Sequence, residues 1–121
     1  MTTPERREAT RVPVTARINI SSPDTPADLV ALADLSMGGF SVRSQDELPV
    51  GKVLRFMFAA PTSPWVVSLT ARSIYTRPDA DGALYGACYQ TGFQFINDDS
   101  PAIQARIHQL LDHAMAAVRV S

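Results

Sequence analysis

Turn signals recur at short intervals through most of this chain: Ser22-Pro23-Asp24, Gly38-Gly39, Pro49-Val50-Gly51, Pro61-Thr62-Ser63-Pro64 and Asp79-Ala80-Asp81-Gly82. Punctuation this dense leaves room for strands and little room for long helices. In "VPVTARINI", residues 12–20, Val12, Val14, Ala16, Ile18 and Ile20 alternate against mostly polar positions. That is the period of a strand with one buried face. Five more runs of strand length follow, at 27–36, 39–44, 52–59, 65–77 and 84–96. Six short strands in this order predict an all-β, antiparallel six-stranded barrel or sandwich.

The period then changes. Ile103, Ile107, Leu110, Leu111, Ala114 and Val118 fall on one helical stripe. Ser100 suits a cap, Pro101 suits the first helical position, and Asp98 and Asp99 sit where the helix dipole favours negative charge. A C-terminal helix at about 101–118 is expected to lay this stripe on the barrel and plug an open end. With 121 residues, 45% of them apolar, residues 12–121 suit a single domain.

Several functions are argued against by what the chain lacks. A net charge of -1 does not supply the broad basic surface of a nucleic-acid coat. No apolar run approaches the length of a membrane span, and "MTTPERREATR" has no hydrophobic signal region. A cytoplasmic protein with no membrane partner is expected. Cys88, the only cysteine, reads as a small core residue in a strand. His108 and His113 lie five apart without a cysteine or carboxylate cluster, so no metal is expected. No catalytic set is evident and no cofactor is implied, so the chain does not read as an enzyme. Trp65, Phe56, Phe58, Phe93 and Phe95 read as core. Arg43, Arg72 and Arg77 read as solvated strand positions.

Two stretches remain. Of the 11 basic residues Lys52 is the only lysine, and Arg6, Arg7 and Arg11 cluster near the start. Residues 1–11 offer only Met1, Pro4 and Ala9 as apolar or small side chains, so they are expected to form a flexible, Arg-rich tail. The second stretch, "ADLSMGGFSV" at 33–42, holds Asp34, Ser36 and Gly39 as Asp-x-Ser-x-x-Gly between two strands. One reading is a tight turn in which Asp and Ser satisfy local backbone donors and Gly38 and Gly39 allow positive φ. The other adds a ligand: a carboxylate accepts from a guanine edge or orients an arginine, a hydroxyl bonds a phosphate, and glycine lets a flat base approach.

Arg-x-x-x-Arg alone is weak evidence in so arginine-rich a chain. Followed by Asp-x-Ser-x-x-Gly, it resembles the paired signature of the PilZ domain, a bacterial receptor for cyclic di-GMP. The first signature matches Arg7 and Arg11, with Arg6 as the preceding basic residue. The second matches Asp34, Ser36 and Gly39. "ARSIY" at 71–75 resembles a PilZ strand that ends in an aromatic, here Tyr75, and "TGFQF" at 91–95 resembles the final strand.

The resemblance implies a six-stranded split barrel with a following helix. It implies a cyclic di-GMP site made from Arg6, Arg7, Arg11, Asp34, Ser36, Gly38, Gly39 and Tyr75. Arg6, placed just before the pair, implies a stacked dimer of the ligand. The function implied is that of an effector that signals through its N-terminal tail and docks a downstream protein partner. The alternative is a PilZ-type interaction protein that binds no nucleotide.

Overall fold

The computed structural model describes residues 12–13, 18–25, 29–60, 66–80, 86–97 and 99–120. Its strands are β1 (Val12–Pro13), β2 (Asn19–Ser21), β3 (Leu29–Leu35), β4 (Gly39–Ser44), β5 (Val53–Ala59), β6 (Val66–Pro78) and β7 (Tyr89–Phe95), and they precede the helix α1 (Pro101–Val120). All pairings are antiparallel, in the order β1-β3-β4-β7-β6-β5-β2. The six expected runs are all present, but the first is described as two pieces on opposite edges of the sheet. β1 pairs with β3, while β2 pairs with β5 and also lies against β3. The two described pieces of the N-terminal run thus lie at opposite ends of the strand order, and six antiparallel strands form a nearly closed barrel.

Alternation fills the interior. β5 points Leu54, Phe56 and Phe58 inward and Val53, Arg55 and Met57 outward. β6 points Val67, Leu69, Ala71 and Ser73 inward. Phe40 sits at the centre, with ring centroids 5.0 Å from Phe56 and 5.3 Å from Phe58, both edge-on, and 5.3 Å from Phe93, stacked. These are favourable aromatic geometries in addition to simple burial. Trp65 lies outside the described residues.

The buried polar groups are paired. Ser73 Oγ donates to the Pro49 carbonyl and accepts from Lys52 N–H, and Thr76 Oγ1 donates to the Leu48 carbonyl. These bonds fasten the β4–β5 connection to β6. In that connection Gly51 takes a φ of 88°, a left-handed conformation that favours glycine.

The helix matches its expected start and runs two residues past its expected end. Ser100 caps it through its carbonyl, which accepts from Gln104 N–H at 2.9 Å. Ile107, Leu110 and Ala114 are buried in the same core as the barrel strands, and α1 packs on β6. Among the described residues no helix is long and apolar enough to cross a membrane.

Cys88 corrects an expectation. It is exposed and precedes β7, which begins at Tyr89 rather than at residue 84. Inward positions on this segment are odd (Ala87, Thr91, Phe93 and Phe95), so residue 88 faces out. Gly86, at φ 69°, also departs from strand conformation.

Asp24, in the β2–β3 connection, ties that loop to β5. Its carboxylate accepts from Arg55 Nη2 at 2.6 Å, Arg55 Nε at 3.0 Å and Arg55 backbone N–H at 2.8 Å. The side-chain hydrogen bonds from Arg55 are the main cause that lowers the Asp24 pKa to about 2, from 3.8. A depressed carboxylate stabilises the fold above its unfolded pKa and loses that contribution as pH falls through the folded value. Wild type is therefore expected to lead Asp24→Asn in thermal unfolding at pH 6. The gap should close as the pH falls from about 4 to about 2. A gap that persists unchanged at pH 2 would remove the ion pair as its cause.

Candidate functional site

The β3–β4 turn is built around one hydroxyl. Ser36 Oγ accepts from the N–H groups of Gly38 and Gly39, each at 3.3 Å, and donates to the Gly39 carbonyl at 3.3 Å. Ser36 N–H donates to the same carbonyl at 2.8 Å. Ser36 is buried, and these local bonds account for its hydroxyl. The turn expectation therefore holds for Ser36. It fails for the glycines, because the described positive-φ residues are Gly51, Gly86 and Asn97.

Gly38 and Gly39 differ from each other. A methyl built on Gly39 overlaps the Phe93 carbonyl oxygen and stands 3.1 Å from that carbonyl carbon and 3.2 Å from Gln94 Cα. A methyl on Gly38 meets nothing within 4 Å. Gly39 is thus required by close strand packing, whereas Gly38, whose N–H donates to Ser36 Oγ and whose carbonyl accepts from Phe95 N–H, has open space on its Cβ side.

Asp34 lies in β3 rather than in the turn, and strand register extends from it across the sheet. Asp34 pairs with Ser41 on β4, Ser41 with Gly92 on β7, and Gly92 with Tyr75 on β6. The adjacent row of Leu35, Phe40, Phe93 and Ser73 faces the core, so by strand parity the Asp34 row lies on the outer face of the sheet, where Ser41 and Gly92 are themselves buried, with Gln90 bonded to Ser41 and the Tyr75 ring over Gly92. At about 4.8 Å per strand the row spans roughly 14 Å. Tyr75 reaches this face because the β6–β7 register shifts between Ser73 and Tyr75. Without that bulge Tyr75 would share the inward parity of Ser73; the extra residue, Ile74, is 47% exposed. The Tyr75 ring lies across Gly92, where a built methyl would stand 2.6 Å from Cζ.

One strand step along, Arg43 overturns the expectation of a solvated side chain. Its Nη1 donates to both Asp79 oxygens, at 2.7 and 2.6 Å, and the two side chains are only 13% and 2% exposed. The sequence hid this pairing because Asp79 lies 36 residues away, at the end of β6. Arg72 and Arg77 are exposed as expected, with the Arg77 guanidinium 5.2 Å from the Tyr75 ring centroid. Gln90 belongs to neither sequence motif. It donates to Ser41 Oγ at 3.0 Å, on the outward parity of β7.

Arg6, Arg7 and Arg11 lie outside the described residues. β1 begins one residue after Arg11, and Pro13 pairs with Asp34. The strand that follows Arg11 in the chain therefore begins at the Asp34 end of the row. Among the described residues no group of three or more His, Cys, Asp or Glu side chains has the placement to hold a metal ion.

A family model for the PilZ domain matches residues 5–113. The chain belongs to the PilZ domain family. This is a family of ligand-binding effector domains, receptors for cyclic di-GMP. The PilZ match takes in the whole row as well as Arg6, Arg7 and Arg11. The fold is similar to that of the PilZ domain of YcgR from Escherichia coli, solved with c-di-GMP, at a TM-score of 0.55 and 20% identity. That likeness covers 87% of this chain and 95% of the other. The Bacillus subtilis inhibitor of motility, MotI/DgrA, is similar at a TM-score of 0.55 and 18% identity. There 88% of this chain is covered but 52% of the other, so the chain spans about half the length of that protein. No curated protein matches this chain.

Proposed function

We propose that this PilZ domain is a cyclic di-GMP receptor that passes its signal to a protein partner without chemistry of its own. The observation that carries the reading is the register that places Asp34, Ser41, Gly92 and Tyr75 in one outward row, with β1, which follows Arg11 in the chain, beginning at its Asp34 end. The ligand has two phosphates and two guanines. Arg7 and Arg11 would supply bidentate forks for phosphate or for guanine O6 and N7. Asp34 would accept from a guanine edge or orient one of those arginines. Gly38 would admit the ligand on its open Cβ side, and Ser36 would act by holding that backbone in place. Tyr75 would stack a base. Arg6 would favour a stacked pair of ligands.

In this reading the ligand draws residues 1–11 onto the barrel, and the newly ordered surface is what a downstream protein reads. The alternative, a PilZ-type interaction protein without a nucleotide, has the same fold and predicts no binding. Calorimetric titration with cyclic di-GMP separates the two, with cyclic di-AMP and GTP as controls. Micromolar affinity, about 8 kcal/mol, is expected for cyclic di-GMP alone. Two ligands per chain are expected at saturation; one would remove the role given to Arg6. Asp34→Ala is expected to weaken binding about tenfold or more while the barrel still unfolds cooperatively. An Asp34→Ala protein that binds like wild type would remove the row from the site.

A further inference from the structure

On the outer face of β6, Arg77 lies beside the aromatic of the row. Its guanidinium carbon is 5.2 Å from the centroid of Tyr75, a distance at which a cation is attracted to the ring face. Its neighbours do not account for that position. The carboxylate two residues on, Asp79, is taken in a bidentate contact by Arg43. Opposite Arg77 stands Gln90, whose amide is committed to Ser41 Oγ. Among the described residues no ion pair restrains Arg77, and it is exposed. Tyr75 is itself held in place, because the bulge at Ile74 turns it outward and its ring rests on Gly92. Two flat groups, one aromatic and one cationic, therefore stand together at the β6 end of the outward row, across the sheet from Asp34.

We propose that Tyr75 and Arg77 form one stacking platform for a purine base, with Arg77 a ligand-contacting residue that neither the Arg-x-x-x-Arg nor the Asp-x-Ser-x-x-Gly signature contains. The proposal rests on the cyclic di-GMP reading and extends it to the far end of the row. A planar guanidinium stacks on a purine face as readily as on a phenol ring, and an ammonium does not. The platform therefore acts through the flatness of Arg77 as well as through its charge. It contacts the base that lies farthest from Asp34.

Titration of the full chain with cyclic di-GMP tests this through Arg77→Ala, Arg77→Lys and Tyr75→Leu. Arg77→Ala is expected to weaken binding about tenfold. Arg77→Lys is expected to lose nearly as much, because it keeps the charge and loses the plane. The Tyr75→Leu and Arg77→Ala double variant is expected to fall short of the product of the single losses, since the two side chains act as a unit. Wild-type affinity in Arg77→Lys would make Arg77 a point charge and overturn the platform. Unchanged affinity in Arg77→Ala, with binding still lost in Asp34→Ala, would overturn the platform and leave the receptor reading standing. A wild-type chain that binds no cyclic di-GMP would overturn both.

Discussion

Alanine at position 39 is expected to unfold this domain or to lower its melting temperature by roughly 10 °C or more. The added methyl overlaps the Phe93 carbonyl oxygen and crowds Gln94 Cα, and both belong to the backbone. No rotamer change relieves a clash between main chains. β4 would have to draw away from β7, and their pairing runs from Gly39–Gln94 to Ser44–Tyr89 through the middle of the sheet. Phe40, the centre of the aromatic cluster, is the next residue and would move with it. A cost of at least about 3 kcal/mol is expected, a large share of the stability of a small domain.

Gly38→Ala is the matched control. Its methyl meets nothing within 4 Å, and its φ is not among the described left-handed ones. Stability should be unchanged within about 0.5 kcal/mol, or slightly higher through the restricted unfolded chain. Thermal unfolding by circular dichroism measures both variants. Equal melting temperatures for Gly39→Ala and wild type would disprove the close packing of β4 on β7. If Gly38→Ala melts like wild type but binds cyclic di-GMP more weakly, the open space at residue 38 belongs to the ligand.

The two adjacent glycines show how far the sequence could be read. Their pattern located the turn, and the turn is there. The pattern could not say which glycine packs against a distant strand, because Phe93 lies more than 50 residues away in the chain. The strands themselves were legible because alternation is local: Leu54, Phe56 and Phe58 announce their own inward face. What stayed hidden depended on pairing between remote segments. The run at 12–20 looked like one strand, and only the order of the sheet shows its ends on opposite edges. The Arg43–Asp79 contact needs β4, the start of β7 and the end of β6 in register before it exists.

The site divides in the same way. Asp34 and Tyr75 could be named from the sequence, but the row that joins them could not. Its middle members, Ser41 and Gly92, carry no signature of their own and are defined by register alone. The bulge at Ile74 is the clearest case. A strict alternation from Leu69 through Ala71 and Ser73 puts Tyr75 inside the barrel, and one extra residue puts it outside. Nothing local in "ARSIYTR" marks where that residue is inserted. Once it is inserted, Arg77 and Tyr75 lie on the face that carries the row.

Replacing Arg7 and Arg11 together by alanine is expected to reduce cyclic di-GMP affinity by about 100-fold, or tenfold or more for each. A guanidinium that bonds a phosphate or a guanine edge through two N–H groups gains energy only in the complex, so its loss appears in binding. The melting temperature without ligand should not change, because the side chains around the two arginines are mostly polar: Glu5, Arg6, Glu8, Ala9 and Thr10. Ordering backbone costs roughly 1–2 kcal/mol per residue, and Met1, Pro4 and Ala9 bury too little to offset that by themselves. The ligand would have to supply the difference, with each guanidinium meeting an anionic or guanine partner beside Asp34. Hydrogen exchange of the amides from Glu5 to Val12 reads that exchange of entropy for contact directly. Protection should rise on adding cyclic di-GMP to wild type and stay flat in the Arg7→Ala, Arg11→Ala protein at the same ligand concentration. Equal protection with and without ligand in wild type would remove the proposed switch even if the affinity loss were confirmed, because the arginines would then bind without reorganising the segment that carries them.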